Sequence, residues 1–270
     1  MSRGPVVVAG AGDVGGRLAA LRQACGDDVI ALRRRDAGSV PGFRRLRADL
    51  ATGEGLGRLP RQARAIVFCA APDQRDEAAY RALFLDGLRR LLDACDAERV
   101  LFVSSTAVFG EDHGEWVDED TPARPPAFNG RILRDSEHAL ASHQAGIVLR
   151  LSGLYGPGRD WMLRRARDGE PGAARWTNRI HVDDAARALS HLLDVGAPQP
   201  LYLGNDDLPA LEHDVLDWVR AQEGLPSLPR SAGPETGRRV RNARLRASGW
   251  APSHPDYRSG YRGMLASPGV

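Results

Sequence analysis

Lysine is missing from the 270 residues, so all 37 basic charges are arginine. Arginine, with a pKa above about 12, shares its proton poorly, and any catalytic role that needs a lysine is closed to this chain. Cysteine is scarce. Cys25, Cys69 and Cys95 read as buried helix or strand positions, with no CxxC and no Cys/His cluster of metal-ligand spacing, so neither a zinc site nor a disulfide framework is expected. A reducing, cytoplasmic compartment is the simplest reading. No apolar run approaches about 18 residues, and the run in MSRGPVVVAGAG is too short for a secretion signal, so no membrane partner is expected. The net charge of +2 is too small to imply nucleic acid, while a pI near 8.6 mildly favours anionic ligands. Arg238, Arg239, Arg241, Arg244 and Arg246 are spaced to spread charge around a helix with few interleaved aromatics, so no nucleic-acid partner is expected there.

What is present is an alternation. The apolar runs PVVVAG, DVIALR, ARAIVFCAA, RVLFVSS, GIVLRLSG and PLYLGN are separated by segments of helical period, from Val14, over Asp76 to Ala94, around Phe128 and over Asp183 to Leu193. This order predicts an α/β chain, a doubly wound parallel sheet with helices on both faces. In the first helix Val14, Leu18, Leu21 and Cys25 recur at helical spacing and Gly26 can stop it. After Gly153 glycine and proline cluster, at YGPGR, GEPGAA and across 224–237, which predicts a smaller loop-rich lobe. The expected division is a Rossmann domain over 1–153, continued by 180–204, and a small substrate lobe from 154–179 and 205–270. Such lobes shape a pocket at the carboxyl ends of the strands.

Gly10-Ala11-Gly12-Asp13-Val14-Gly15 fits G-x-G-x-x-G and stands straight after an apolar strand at the opening of a helix. Gly10 permits the turn, Gly12 lets backbone approach a pyrophosphate, and Gly15 lets helix and strand pack closely. Gly10, Gly12, Asp13, Val14 and Gly15 are therefore the candidate diphosphate contacts, facing a helix N-terminus. The second strand, VIAL, runs into Arg33, Arg34 and Arg35 where an NAD site usually has a carboxylate for the ribose. Guanidinium groups bind a 2′-phosphate bidentately, so NADP(H) is favoured over NAD(H), with Arg33 and Arg34 as the contacts. The alternatives are a solvated charge run and, with a slipped register, Asp36 as ribose ligand. Arg44, Arg45 and Arg47 add field strength.

The glycine turn, Ala48-Asp49-Leu50, SSTAVFG (104–110), DEDTP (118–122), LRLSGLYGPGR (149–159) and NRIHVDDAA (178–186) together resemble the extended short-chain dehydrogenase/reductases, the group containing nucleotide-sugar epimerases and dehydratases. The likeness covers nearly the whole chain, through GRRVRNARL and SGW. It implies that Asp49 and Leu50 contact the adenine, that Ala70 and Ala71 line the ribose, and that Ser152, Gly153 and Leu154 approach the nicotinamide. It places Ser105 at the family's catalytic Ser/Thr, where a hydroxyl satisfying backbone groups at a strand end is the other reading.

The same resemblance places Tyr-x-x-x-Lys on the helix FNGRILRDSEHAL, and here Asn129 stands for the tyrosine and Leu133 for the lysine. An amide does not titrate near neutrality and a leucine holds no ribose. This matches the atypical subgroup, which keeps the nucleotide-binding fold and lacks the dyad. None of the tyrosines, Tyr80, Tyr155, Tyr202, Tyr257 and Tyr261, is close to Asn129 in sequence. The substitute acid/base candidates are His181, Asp183, Ser105 and the loop Glu111, Asp112, His113. Histidine has a suitable intrinsic pKa. Against it, HVDDAARAL reads as a helix start capped by Asp183 or Asp184 with His181 packed before it, and the acidic loop reads as a solvated pocket edge. Two functions follow: an NADP(H)-dependent oxidoreductase or epimerase-like enzyme, or a non-catalytic NADP(H) sensor. Arg159, Arg175 and Arg179 suit an anionic small-molecule substrate, though each alone reads as a surface charge. The apolar faces of the helices over 76–94 and 131–143 permit a homodimer as well as a monomer.

Overall fold

A computed structural model describes residues 4–35, 43–143, 146–230 and 233–266. Its central sheet takes strands β1 (Val6–Ala9), β2 (Val29–Arg33), β3 (Arg44–Arg47), β4 (Ala65–Phe68), β5 (Val100–Ser105), β6 (Gly146–Leu151) and β7 (Leu201–Gly204). Their order is β7-β6-β5-β4-β1-β2-β3, and the pairs from β5 through β3 are parallel. The chain winds outward from β1 in both directions, so the predicted doubly wound α/β sheet is present. Its middle is wholly apolar. Val6, Val7, Val8 and Ala9 of β1 and Ile66, Val67 and Phe68 of β4 have no exposed surface, as strands covered on both faces require.

Helix α1 (Asp13–Ala24) follows β1 and ends at Gly26, whose φ of +85° suits glycine. Its buried face is Val14, Gly15, Leu18, Ala19 and Arg22, so the expected stripe holds only in part. Leu21 is exposed, and Cys25, expected to be buried, is exposed too. The cause is Arg22, which turns inward to Asp27 and Asp194 and sets the helix rotation. The segment over 77–94 is α2 (Glu77–Tyr80), a π-helical stretch (Arg81–Asp86) and α3 (Gly87–Ala94), and it lies beside α4 (Phe128–Ala141). Leu83, Phe84, Leu85, Leu88 and Leu91, like Ile132, Leu133 and Leu140 of α4, are buried within the chain itself. Arg81, Arg89, Asp93, Arg131 and His138 occupy exposed positions on these helices. Their apolar faces are thus used internally.

The chain forms two compact units: 1–109 with 123–150 and 186–202, and 110–122 with 151–185 and 203–270. The second has its own core of Tyr155, Met162, Leu163, Ala166, Ala210, Val215, Leu216, Val219, Tyr257 and Tyr261. Helix α5 (Val182–Asp194) runs from one unit into the other. Among the described residues no helix is long and apolar enough to cross a membrane.

Candidate functional site

At the end of β1 the backbone turns at Gly10 with a φ of +98°, and a Cβ there would stand 2.4 Å from the Cα of Ala70. A Cβ at Gly15 would lie 2.3 Å from the Gly10 carbonyl oxygen and 2.7 Å from Cys69 Sγ. These two glycines close the packing of α1 against the ends of β1 and β4. Gly12 is different. Nothing among the described residues lies within 4 Å of the position its Cβ would take, so its bareness serves no internal contact. No side chain caps the α1 N-terminus at Gly12, and Asp13 instead pairs with Arg17 at 2.9 Å. An uncapped helix start leaves its first-turn amides and the positive end of the helix dipole available to an anion. Below it Cys69 Sγ lies 3.5 Å from the Gly10 carbonyl, and burial pushes its pKa up to about 12.

The adjoining strand ends in two unlike arginines. Arg33, half-buried at the end of β2, makes no hydrogen bond or ion pair among the described residues. Arg34 is forked onto Asp73, with Nη1 and Nη2 each 2.5 Å from a carboxylate oxygen. Those hydrogen bonds raise the guanidinium pKa and hold Asp73 below the usual carboxylate range. Asp73 had no signal in the sequence, because its partner is 39 residues away. Asp49 accepts the Ala51 amide on Oδ1 at 2.8 Å, closing a tight turn after β3, and Leu50 is buried. Ala70 abuts Gly10 and Ala71 is exposed. Asp36 lies outside the described residues.

On α4, Asn129 is half-buried with no side-chain hydrogen bond among the described residues, and Leu133 is 4% exposed. The helix approaches the turn Thr106–Val108 closely, since a Cβ on Gly130 would sit 2.4 Å from the Ala107 carbonyl oxygen. Ser105 Oγ accepts the Ala107 amide at 3.2 Å, which is the backbone-satisfying role. Folding brings one tyrosine alongside: the Tyr80 ring stands edge-on to Phe128, neighbour of Asn129, at 5.5 Å. One feature was illegible in sequence. Glu137 takes Ser104 Oγ at 2.5 Å and Arg150 at 3.0 and 2.7 Å, all buried, locking α4 to β5 and β6.

In the second unit Gly153–Tyr155 pairs in parallel with Arg179–His181. Ser152 is buried, Gly153 exposed and Leu154 half-buried. His181 is buried, its Nδ1 accepting the Asp183 amide at 3.3 Å and its ring stacked on His254 at 3.9 Å. Asp184, expected as a possible cap of α5, binds the segment before the last helix: it accepts the Ser253 and His254 amides at 2.8 and 2.9 Å and faces His254 Nδ1 at 3.0 Å. Burial also drives the Tyr155 phenol far up and Tyr261 up to about 12, away from any neutral-pH proton exchange.

Two expectations need correcting. Arg179 is not a surface charge; it is buried over the Tyr257 ring at 5.3 Å, whereas Arg159 and Arg175 are exposed. The loop at 111–113 keeps Asp112 and His113 exposed and is tied down, since Asp112 accepts the Gly237 amide at 2.9 Å and the Glu111 carbonyl accepts Arg238 Nε at 2.8 Å. Arg238 and Arg239 belong to the strand Thr236–Val240 rather than a helix, and Arg239 stacks between Trp116 and Trp176 at 5.0 and 4.9 Å. Among the described residues no group of three or more His, Cys, Asp or Glu side chains is placed to hold a metal.

Comparison with known proteins gives a consistent result. Residues 6–203 match the family described as NAD dependent epimerase/dehydratase. A solved structure from Methylobacillus flagellatus, described as an NAD-dependent epimerase/dehydratase, is 36% identical over 98% of this chain and 99% of its own, with a TM-score of 0.87. Protein YeeZ of Escherichia coli K12 is 36% identical over 137 residues, and this chain spans about half its length, 47% of each. A 3-diazoavenalumate denitrifying reductase from a Streptomyces species is 32% identical over 206 residues, 64% of each chain.

Proposed function

The chain belongs to the NAD dependent epimerase/dehydratase family, and from that premise we propose that it is an NADP(H)-dependent oxidoreductase or epimerase-like enzyme acting on a small anionic molecule. The observation that carries the proposal is the cradle at Gly12: an uncapped helix start with nothing among the described residues, beyond its own chain neighbours, within 4 Å of the missing Cβ. Gly10, Gly12, Asp13, Val14 and Gly15 would hold the diphosphate, with Asp49 and Leu50 toward the adenine, Ala70 and Ala71 toward the ribose, and Ser152, Gly153 and Leu154 toward the nicotinamide. A bound nicotinamide would supply or accept the hydride. The preference for NADP(H) over NAD(H) rests on Arg33, whose guanidinium has no partner among the described residues and suits a 2′-phosphate. Arg34 takes part only by leaving Asp73. The anionic substrate rests on the exposed Arg159 and Arg175.

Catalysis has to proceed without the family's tyrosine and lysine, since Asn129 neither gives nor takes a proton and Leu133 is buried hydrocarbon. Ser105 and His181 remain the proposed substitutes, Ser105 Oγ and His181 Nδ1 each accepting a backbone amide. The Streptomyces relative is named for a reductase of a diazo compound. Diazo compounds therefore stand beside carbonyl compounds among the substrate classes to be tried. Asn129 and Leu133 also favour a second reading, a non-catalytic NADP(H) sensor, because losing a positioned acid/base costs an enzyme roughly a hundredfold to ten-thousandfold and a sensor nothing. We place the protein in the cytoplasm as a monomer or homodimer; Cys25, Cys69 and Cys95, all unpaired, agree with a reducing compartment. Titration calorimetry with NADPH and NADH, followed by NADPH oxidation with diazo compounds, quinones, aldehydes and nucleotide sugars, separates the two. Binding with turnover supports the enzyme, and binding with none at high protein concentration supports the sensor.

A further inference from the structure

The second unit buries polar groups whose hydrogen-bonding capacity the protein does not use. Ser152, Arg179, Asn205 and Asp206 are 6%, 4%, 1% and 1% exposed. Among the described residues Ser152 Oγ, Arg179 Nη1, Asn205 Oδ1 and Asp206 Oδ2 have no hydrogen-bond partner. Backbone pairing gathers the four: the Asp206 amide donates to the Arg179 carbonyl at 2.7 Å, the Ser152 amide to the Gly204 carbonyl at 3.0 Å, and Gly153 stands opposite Arg179.

Three of these side chains are anchored at one end. Arg179 Nη2 donates to Thr177 Oγ1. Asp206 Oδ1 accepts the Leu208 amide at 3.3 Å, and the Asn205 amide group donates to the carbonyls of Asp206 and Val240 at 2.8 and 2.9 Å. Arg179 and Asp206 sense each other's charge, yet no direct ion pair joins them among the described residues. Two donors and two acceptors are thus left over on residues that this backbone pairing links.

Interior polar groups are paired with protein or with ordered solvent, because an unmet donor or acceptor loses its hydration for nothing. The occupant must satisfy both kinds. An anion offers no donor to Asn205 Oδ1, a cation would be opposed by Arg179, and an apolar group would leave all four unmet. Water both donates and accepts, and needs only two to four such partners. We propose that Ser152, Arg179, Asn205 and Asp206 form a buried water-binding site, in which bound water bridges a guanidinium and a carboxyl group that do not touch.

Burial raises the Asp206 carboxyl pKa well above the ordinary value, so its protonated form can add a donor to the same water. The other ionisable groups sensing Asp206 or Arg179 are Tyr155, Tyr257, Tyr261, Asp207 and Asp256. The site turns the Arg179 charge inward, which leaves recognition of an anionic substrate to other arginines. It also ties the hydroxyl of Ser152 to internal solvent.

A crystal structure of the full chain at a resolution that shows solvent tests this. An ordered water within hydrogen-bond distance of both Arg179 Nη1 and Asp206 Oδ2 is the expected result. A dry space, or a carboxylate in direct contact with the guanidinium, would overturn it. Thermal unfolding gives an independent reading. Asp206→Asn, which keeps an acceptor and a donor for water, should leave Tm near or above that of the wild type at pH 7, while Asp206→Leu should lower it, with part of the loss recovered in Arg179→Leu/Asp206→Leu. Equal losses for Asp206→Asn and Asp206→Leu would contradict the water site and favour a direct pair.

Discussion

Arg33 and Arg34 are neighbours in a run of three arginines, and nothing in the run itself distinguishes them. Folding does, because Asp73 reaches Arg34 from 39 residues away while Arg33 has no partner among the described residues. On the proposed reading Arg33→Ala should weaken NADPH binding about tenfold or more, the value of a charge-assisted contact, with NADH unchanged. Arg34→Ala should do less. Equal effects on both cofactors, measured by calorimetry, would remove the 2′-phosphate role. The thiols separate in the same way. Cys25 is exposed while burial raises the pKa of both Cys69 and Cys95, so iodoacetamide at pH 8 should label Cys25 first, as read by peptide mass. Asp206 gives a pH signature. A carboxyl pKa raised by folding contributes stability below its ordinary value of 3.8, and that contribution is lost as pH rises through the folded-state value. The Tm advantage of Asp206→Asn should therefore be largest at neutral pH and shrink on acidification. Sequence could not announce this residue, since only its burial makes it unusual.

Among the elements, strands and helices were legible because their periodicity is local, and what joins them was not. The helix at 128–140 is readable from spacing, and resemblance identifies Asn129 and Leu133 on it. That Glu137 would hold Ser104 and Arg150 is a long-range fact, visible only once α4 lies on β5 and β6. Glu137→Ala should cost about 3 to 5 kcal/mol, because it leaves the buried Arg150 charge uncompensated. Urea unfolding that shows a loss under 1 kcal/mol, about the value of an exposed pair, would refute a buried role. Likewise α1 was predicted with a stripe through Leu21 and Cys25, and its rotation was decided instead by Arg22, whose partner Asp194 stands 172 residues away. Spacing locates a helix well and its roll poorly when a charged residue faces inward.

For the whole molecule, alternation of apolar runs and helical segments was enough to predict the doubly wound sheet, because parallel strands need crossovers and crossovers need helices. The site divides along the same line. The glycine turn is written in consecutive residues and is readable there, as is the backbone contact of Ser105, whereas the stacking of His181 on His254 and the burial of Arg179 over Tyr257 come from distant segments. The account rests on a dinucleotide diphosphate at Gly12, whose missing side chain, unlike those of Gly10 and Gly15, no contact among the described residues explains. Gly12→Val is the most direct test. The variant should fold with a Tm close to wild type, at a cost of about 1 kcal/mol for the poorer helix cap, and should lose detectable NADPH and NADH binding by titration calorimetry. A folded Gly12→Val protein that binds either dinucleotide as the wild type does would contradict the account.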